Sequence, residues 1–296
     1  MILVHKDVNA KAVSILSDIS HIEHADLSSE NELIKRLRGK RVLVVRSKPR
    51  VGRKVFESCS GLRLVVRLGV GLDNIDTDAA KEFGVKVVNT PGATTESVAE
   101  HTLGLALSLL RNIPHAHISV RGKRWERKRF QGSELHGKTW GILGFGRIGR
   151  RLADLLRVFG TDVLVYDPYV SGTGPFTRFS DLHAFLRASD IVSVHVPLTS
   201  ETRGMLSKSE LECFNGYLIN TSRGGVVDES ALYDALSSGS LAGAALDVFE
   251  AEPPVDSPLF GLENIIFTPH LGGSTKEGQD RAVRHAADLI AKELDP

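Results

Sequence analysis

Three polar clusters in this sequence carry side chains that together could hold an acid and move a proton. They are Asn220-Thr221-Ser222-Arg223-Gly-Gly, Asp247-Val-Phe-Glu-Ala-Glu252-Pro-Pro and Thr268-Pro-His270-Leu-Gly272-Gly273. Each follows a short β-rich run, so all three read as strand-end loops. Arg223 offers a permanent, forked cation suited to a carboxylate and an adjacent carbonyl oxygen. His270 can exchange a proton near neutral pH. Glu252 could hold its imidazole and favour the charged form. Hydride transfer between a nicotinamide cofactor and a hydroxyl-bearing carbon needs this set: an anchor for the acid and a base for the hydroxyl proton. Spacing alone leaves the plainer reading open, with Arg223 as a surface ion-pair residue and His270 as a satisfied loop histidine.

A second constellation is Gly144-Phe-Gly146-Arg147-Ile148-Gly149. GxGxxG by itself is weak, because glycine-rich chains produce it by chance. Here it follows the apolar run Trp140-Gly-Ile-Leu143 and opens a helical pattern through Leu156. The next β-rich run, Val163-Leu-Val-Tyr166, leads into Asp167, 18 residues past Gly149. That context is the dinucleotide-binding arrangement. Gly144 would permit the tight turn, Gly146 the approach of backbone to a pyrophosphate, and Gly149 close helix–strand packing. The N–H groups at the helix start would face the phosphates. Asp167 would accept hydrogen bonds from the adenosine ribose, and with Pro168 and Tyr169 following in place of an arginine, NAD is expected over NADP. The alternative is a structural glycine turn with Asp167 as an ordinary strand-end residue.

Those loops need a scaffold, and short β-branched runs alternating with helical periodicity supply one. Strands are expected at 2–4, 42–46, 64–68 and 85–88, then at 139–143, 163–166, 191–196, 217–220, 244–246 and 265–268. Such runs suit a parallel sheet buried on both faces. Helices are expected at 9–19, 31–37 and 276–294, among others. Thr94 to Leu110 is apolar nearly all round, which implies a buried helix, ending before Pro114. Ser207 with Glu210 reads as a capping box, Asp228 and Glu229 as a helix start, and Gly160 as a helix C-terminal cap. Between residues 121 and 129 the sequence is basic, with Trp125 inside it.

Composition narrows the class. A length of 296 residues suggests two domains. Charged residues make up 25%, and 37 Lys plus Arg against 36 Asp plus Glu leave a net charge of +1, which argues against a nucleic-acid partner. No apolar run approaches the ~18 residues of a membrane span. The N-terminus lacks the features of a signal peptide, and Cys59 and Cys213 form no CxxC, so a reduced, cytoplasmic setting is expected. No metal site is expected.

Several longer stretches now add up to a family pattern. Arg67-Leu-Gly69-Val70-Gly-Leu-Asp-Asn-Ile-Asp76, Val88-Asn-Thr-Pro-Gly92, Glu96-Ser-Val-Ala-Glu100, the glycine turn, Asn220 to Gly225, Ala244 to Phe249 and Pro269 to Gly273 resemble the D-isomer-specific 2-hydroxyacid dehydrogenases, in order and over almost the whole chain. Within that family, Trp125 to Phe130, Ser133 to Thr139 and Gly273 to Glu277 are similar to the phosphoglycerate dehydrogenase branch. The resemblance implies an α/β fold of two doubly wound parallel-sheet domains. A Rossmann NAD-binding domain (93–273) would be inserted into a flavodoxin-like substrate domain (1–92 and 274–296). It implies Arg223, Glu252 and His270 as the catalytic set. It implies NAD contacts at Val70, Arg147, Ile148, Asp167, Val196, Thr221, Ser222, Asp247, Gly272 and Gly273, besides the glycine turn. Substrate contacts would fall at Arg46, Ser47, Arg67 and Gly69, and Lys48 and Arg50 add cations for a phosphorylated acid.

The implied reaction is NAD-dependent oxidation of 3-phospho-D-glycerate to 3-phosphohydroxypyruvate, the first step of phosphorylated serine biosynthesis. The alternatives are a glyoxylate or hydroxypyruvate reductase of the same family and, from another class, an NAD-sensing corepressor scaffold. A homodimer through 93–136 is expected, with 113–136 as an arm that brings Arg127 or Arg129 to the partner's active site. Many members of the branch continue into an amino-acid-sensing domain. This sequence ends at Pro296, so inhibition by serine through such a domain is not expected.

Overall fold

A computed structural model describes residues 1–8 and 10–294. Asn9, at the expected start of the first helix, and Asp295 and Pro296, at the expected end of the substrate domain, lie outside the described residues. The chain divides into two compact units, one of Met1–Thr94 with Gly273–Pro296 and one of Thr95–Gly272.

In the first unit β1 (Ile2–His5), β2 (Ile22–Ala25), β3 (Val42–Val45), β4 (Leu64–Arg67) and β5 (Lys86–Asn89) form a sheet in the order β2-β1-β3-β4-β5. Every pairing is parallel. This is the flavodoxin-like winding. β1 and β3 are buried along their whole length, as expected of their apolar residues Ile2–Val4 and Val42–Val45, and His5 at the end of β1 is buried with them. The chain returns to this unit at its end. The Lys276–Leu294 helix sets Ala282, Val283, Ala286 and Ile290 into one core with Ile2, Val4, Val42 and Leu64.

The second unit holds β6 (Thr139–Leu143), β7 (Asp162–Tyr166), β8 (Thr177–Phe179), β9 (Ile191–Val194), β10 (Tyr217–Asn220), β11 (Gly243–Leu246) and β12 (Ile265–Phe267). Their order is β12-β11-β10-β9-β6-β7-β8, again all parallel. This is the Rossmann winding, extended by one strand. The order reverses between β6 and β9, and a ligand is expected outside the carboxyl ends of the strands at such a point. The Thr95–Leu110 helix buries Ala99, Leu105, Ala106, Leu109 and Leu110 in the core around Trp140 and Ile142. Pro114 then falls in the first turn of the next helix, Ile113–Arg121, where its missing N–H costs nothing.

Local signals were read correctly at several helix ends. Ser207 and Glu210 form the full capping box. Asp228 caps the Glu229–Ser238 helix by accepting from the Ala231 N–H. Gly160 follows the Arg147–Val158 helix with φ +66°. The edge strands β2 and β8 are absent from the sequence-based expectation.

Candidate active site

At the switch point of the second sheet, the loop after β6 meets the loop after β9. Gly144 has φ +97°, and a side chain there would strike the backbone of His195 and Val196 at 2.9 Å. Gly149 packs so closely that a Cβ would lie 2.3 Å from the Gly144 carbonyl oxygen. Gly146 differs: a Cβ there would meet nothing within 4 Å. It caps the Arg147–Val158 helix without any side-chain hydrogen bond. Gly146 and Arg147 are exposed and Ile148 is half-buried. An open glycine at an uncapped helix N-terminus is the geometry a pyrophosphate fits. Asp167 stands just past β7, and its carboxylate accepts from the backbone N–H groups of Phe145 (2.8 Å) and Tyr169 (2.9 Å). Each oxygen keeps a second acceptor position, so the same carboxylate that braces the turn can also take ribose hydroxyls. These residues fit a dinucleotide.

The three strand-end loops of the second unit are built by their own side chains. Asn220 donates through Nδ2 to the Arg223 carbonyl at 3.0 Å and accepts at Oδ1 from the Ser222 N–H and hydroxyl. Arg223 is half-buried, and its Nη1 donates to the Ser222 carbonyl at 2.7 Å. The adjacent Gly224 seats this loop on the next: a Cβ there would lie 1.8 Å from the Phe249 carbonyl oxygen. Glu252, in that second loop, approaches His270 Nδ1 with Oε2 at 2.9 Å and Oε1 at 3.1 Å. Both side chains stay accessible, at 45% for His270 and 40% for Glu252. With Nδ1 held by the carboxylate, Nε2 is the nitrogen left to face a reactant. His270 and Glu252 are thus brought together, and the Glu252 loop packs against the loop that carries Arg223.

Asp247, Thr221 and Ser222, expected at the cofactor, are buried. Asp247 is fully buried, and its carboxylate accepts from His101 Nε2, the Thr268 hydroxyl and the N–H groups of Leu271 and Gly272. Burial works against its charge, yet these four donors outweigh that and hold the carboxyl below its ordinary range. The Thr221 hydroxyl faces Thr102 at 2.8 Å. Val196 borders the Gly144 turn, and Gly272 is buried beside Asp247.

In the first unit the expected substrate residues gather at the carboxyl ends of β3 and β4. Val45 pairs with Arg67 and Arg67 with Asn89, so Arg46 and Arg67 emerge at neighbouring strand ends. The Arg67 guanidinium lies over Gly69, where a side chain would collide with it. Thr90 accepts from the Gly69 N–H at 2.8 Å, and Asn89 donates to the Val70 carbonyl. Asn74 pins the neighbouring loop by donating to the carbonyls of Arg46 (3.1 Å) and Pro49 (2.9 Å). Ser47 and Val70 are exposed, and Gly273 is half-buried against Thr94. Arg127 is exposed and pairs with no acid among the described residues, whereas Arg129 donates to both oxygens of Glu263 at 2.9 Å.

Sequence reasoning assigned no role to His101, Thr102, Asn74 and Thr90, which touch the loops, although Asn74 and Thr90 lie within stretches that carry the family pattern. One signal was available for the first two. A histidine and a threonine inside a buried apolar helix must find partners.

A Rossmann sheet with a dinucleotide turn and a histidine–carboxylate pair on adjacent loops defines a nicotinamide-dependent oxidoreductase class. Residues 103–272 match the D-isomer specific 2-hydroxyacid dehydrogenase, NAD binding domain. The chain is 42% identical over 99% of its length to D-3-phosphoglycerate dehydrogenase of Methanocaldococcus jannaschii, covering 57% of that protein. It is 40% identical over 98% of its length to hydroxypyruvate reductase of Thermotoga maritima, covering 97% of that protein. The NAD-dependent formate dehydrogenase of Staphylococcus aureus, solved in complex with NAD, superposes with a TM-score of 0.88 at 30% identity, over 100% of this chain and 96% of that one. This chain belongs to the D-isomer-specific 2-hydroxyacid dehydrogenases, and its second unit carries their NAD-binding domain. It spans about half the length of the curated phosphoglycerate dehydrogenases it matches. No helix among the described residues is long and apolar enough to cross a membrane.

Proposed function

We propose that the protein interconverts 3-phospho-D-glycerate and 3-phosphohydroxypyruvate, with Arg223, Glu252 and His270 as the catalytic set. The observation that carries this reading is the accessible His270–Glu252 pair at 2.9 Å, with the Glu252 loop packed against the loop of a half-buried arginine. The glycine turn and Asp167 would hold NAD, which would supply the hydride acceptor for oxidation and, reduced, the hydride donor for the reverse reaction. Arg223 binds the substrate carboxylate and polarises the C2 oxygen. His270 Nε2 takes the hydroxyl proton in oxidation and gives it back in reduction. Glu252 orients the ring through Nδ1 and stabilises the imidazolium as it forms, the division of labour of an acid–histidine pair. The glycine turn and Asp167 hold the cofactor, while Arg46, Ser47, Arg67 and the Gly69 backbone take the anionic end of the substrate.

Phosphate recognition is supported by the cations Arg46, Lys48, Arg50 and Arg67 at the ends of the first unit's strands. Four exposed apolar side chains, Ile113, Ile118, Val120 and Trp125, lie on the 113–136 arm and favour a homodimer through it. Because Arg129 is paired with Glu263, Arg127 is the better candidate to reach a partner's substrate. A second reading, hydroxypyruvate reduction, is favoured by the similarity to the Thermotoga maritima reductase over nearly its whole length.

A panel of 2-keto acids with NADH separates these readings. Preference for phosphohydroxypyruvate over hydroxypyruvate and glyoxylate is the expected result, with Arg127→Ala weakening only the phosphorylated substrate. Equal or better use of hydroxypyruvate supports the second reading. NADH binding without turnover on any keto acid would point to a sensing scaffold.

A further inference from the structure

The Thr95–Leu110 helix contributes a second histidine–carboxylate pair that the proposed chemistry does not use. His101 Nε2 lies 3.2 Å from Asp247 Oδ1 and 3.1 Å from Thr268 Oγ1. The Thr268 hydroxyl has one proton and gives it to Asp247 Oδ1 at 2.6 Å. Toward His101 that hydroxyl can therefore only accept. Nε2 of His101 is the protonated nitrogen, and it donates to both oxygens.

Asp247 in turn carries the turn that bears His270. Its main-chain oxygen accepts from the His270 N–H at 2.8 Å. Its carboxylate oxygens accept from the next two N–H groups, Leu271 at 2.7 Å and Gly272 at 2.8 Å. His270 itself sits at φ +54°, in the left-handed region. That conformation is unfavourable for an L residue, so it persists only while its neighbours hold it. The rotation of the Asp247 carboxylate sets where residues 271 and 272 sit, and His101 and Thr268 set that rotation. The adjacent helix residue reaches the other catalytic loop. Thr102 donates to the Val98 carbonyl at 2.8 Å and so accepts from the Thr221 hydroxyl, two residues before Arg223. Two consecutive residues of one helix thus touch the loop of Arg223 and the turn of His270.

We propose that His101 is a positioning residue: acting through Asp247 and Thr268, it holds His270 in the orientation that proton exchange with the substrate needs. The proposal rests on the reading of His270 as the acid–base group. An aromatic ring without a donor at position 101 leaves Asp247 and Thr268 one proton short, and the turn relaxes. A displacement of about 1 Å at a reacting group costs on the order of a hundredfold in rate.

The test uses the full chain and whichever keto acid the wild type reduces fastest. Turnover, KM, NADH affinity and melting temperature are measured for wild type, His101→Phe, His101→Gln and Thr268→Val. His101→Phe should lose about ten- to hundredfold in kcat, with KM and NADH affinity within about threefold. The glutamine amide can reach the same two oxygens, so His101→Gln should recover most of that loss. Thr268→Val should reproduce it. Wild-type kcat in His101→Phe overturns the proposal, as does a glutamine variant no better than the phenylalanine one. Should His101→Phe fail to fold, wild-type kcat in Thr268→Val overturns it instead. Absence of keto-acid reduction by the wild type overturns the functional reading and this inference with it.

Discussion

Two histidine–carboxylate pairs flank the same short turn, and their surroundings suit them to the different work proposed for each. His270–Glu252 is open, with both side chains about two-fifths exposed and a ring nitrogen left over. In His101–Asp247 the carboxylate is 1% exposed and every donor around it is already committed. An open pair can trade protons with a reactant. A covered, saturated pair can only hold geometry, because removing or adding a proton would orphan a buried group. The same residue types therefore yield chemistry on one side of the turn and architecture on the other. Solvent access and the number of competing donors decide which.

Changing the open pair should have the largest effect on rate and almost none on stability. Glu252→Gln leaves His270 without its carboxylate, and turnover should fall by about 10²–10⁴-fold, the usual worth of a positioned acid–base group. Its melting curve should stay within about 1 kcal/mol of wild type, since an exposed ion pair contributes little. Steady-state kinetics beside a thermal melt checks both halves. A large stability loss would erase the distinction between the pairs.

Changing the covered pair should cost stability as well as rate. Asp247→Asn replaces an acceptor of four hydrogen bonds by a group that must donate with half of its amide. Unfolding free energy should drop by about 1–3 kcal/mol, the cost of buried polar groups left unmatched. Denaturant titration reads this directly.

A smaller effect should appear in acid. The folded Asp247 carboxyl is held below its ordinary value near 3.8, so the unfolded chain binds the proton first. Its contribution to stability is present above that value and is lost as the pH falls through and below it. In Asp247→Asn this part of the acid limb should be absent, leaving a flatter stability–pH curve below about pH 4. An unchanged acid limb would mean that Asp247 is not the group holding the turn.

Much of this was legible beforehand, for reasons that particular residues make clear. β6 and β10 begin and end at the expected residues, because strands buried on both faces carry a nearly continuous apolar signal. β2 was missed because Ile22-Glu-His-Ala25 is a half-exposed edge, and β8 because three residues with two exposed carry too little pattern. Arg223, Glu252 and His270 stood out because polar groups after apolar strands point to a ligand face. The 2.9 Å contact between His270 and Glu252 was a natural guess from chemistry. The left-handed backbone of His270 was not, since it depends on the Asp247 side chain of another strand. His101 was invisible for a related reason. Only the crossing of the Thr95–Leu110 helix over the end of β11 gives it a partner.

On the proposed reading, His270 moves the substrate's proton while the glycine turn independently holds the nucleotide. That reading is tested most directly by measuring keto-acid-dependent NADH oxidation and NADH binding on the same samples of wild type and His270→Asn. The account predicts oxidation by the wild type, a fall of about 10²–10⁴-fold in the variant, and equal NADH affinity in both. Undiminished turnover in His270→Asn would contradict it.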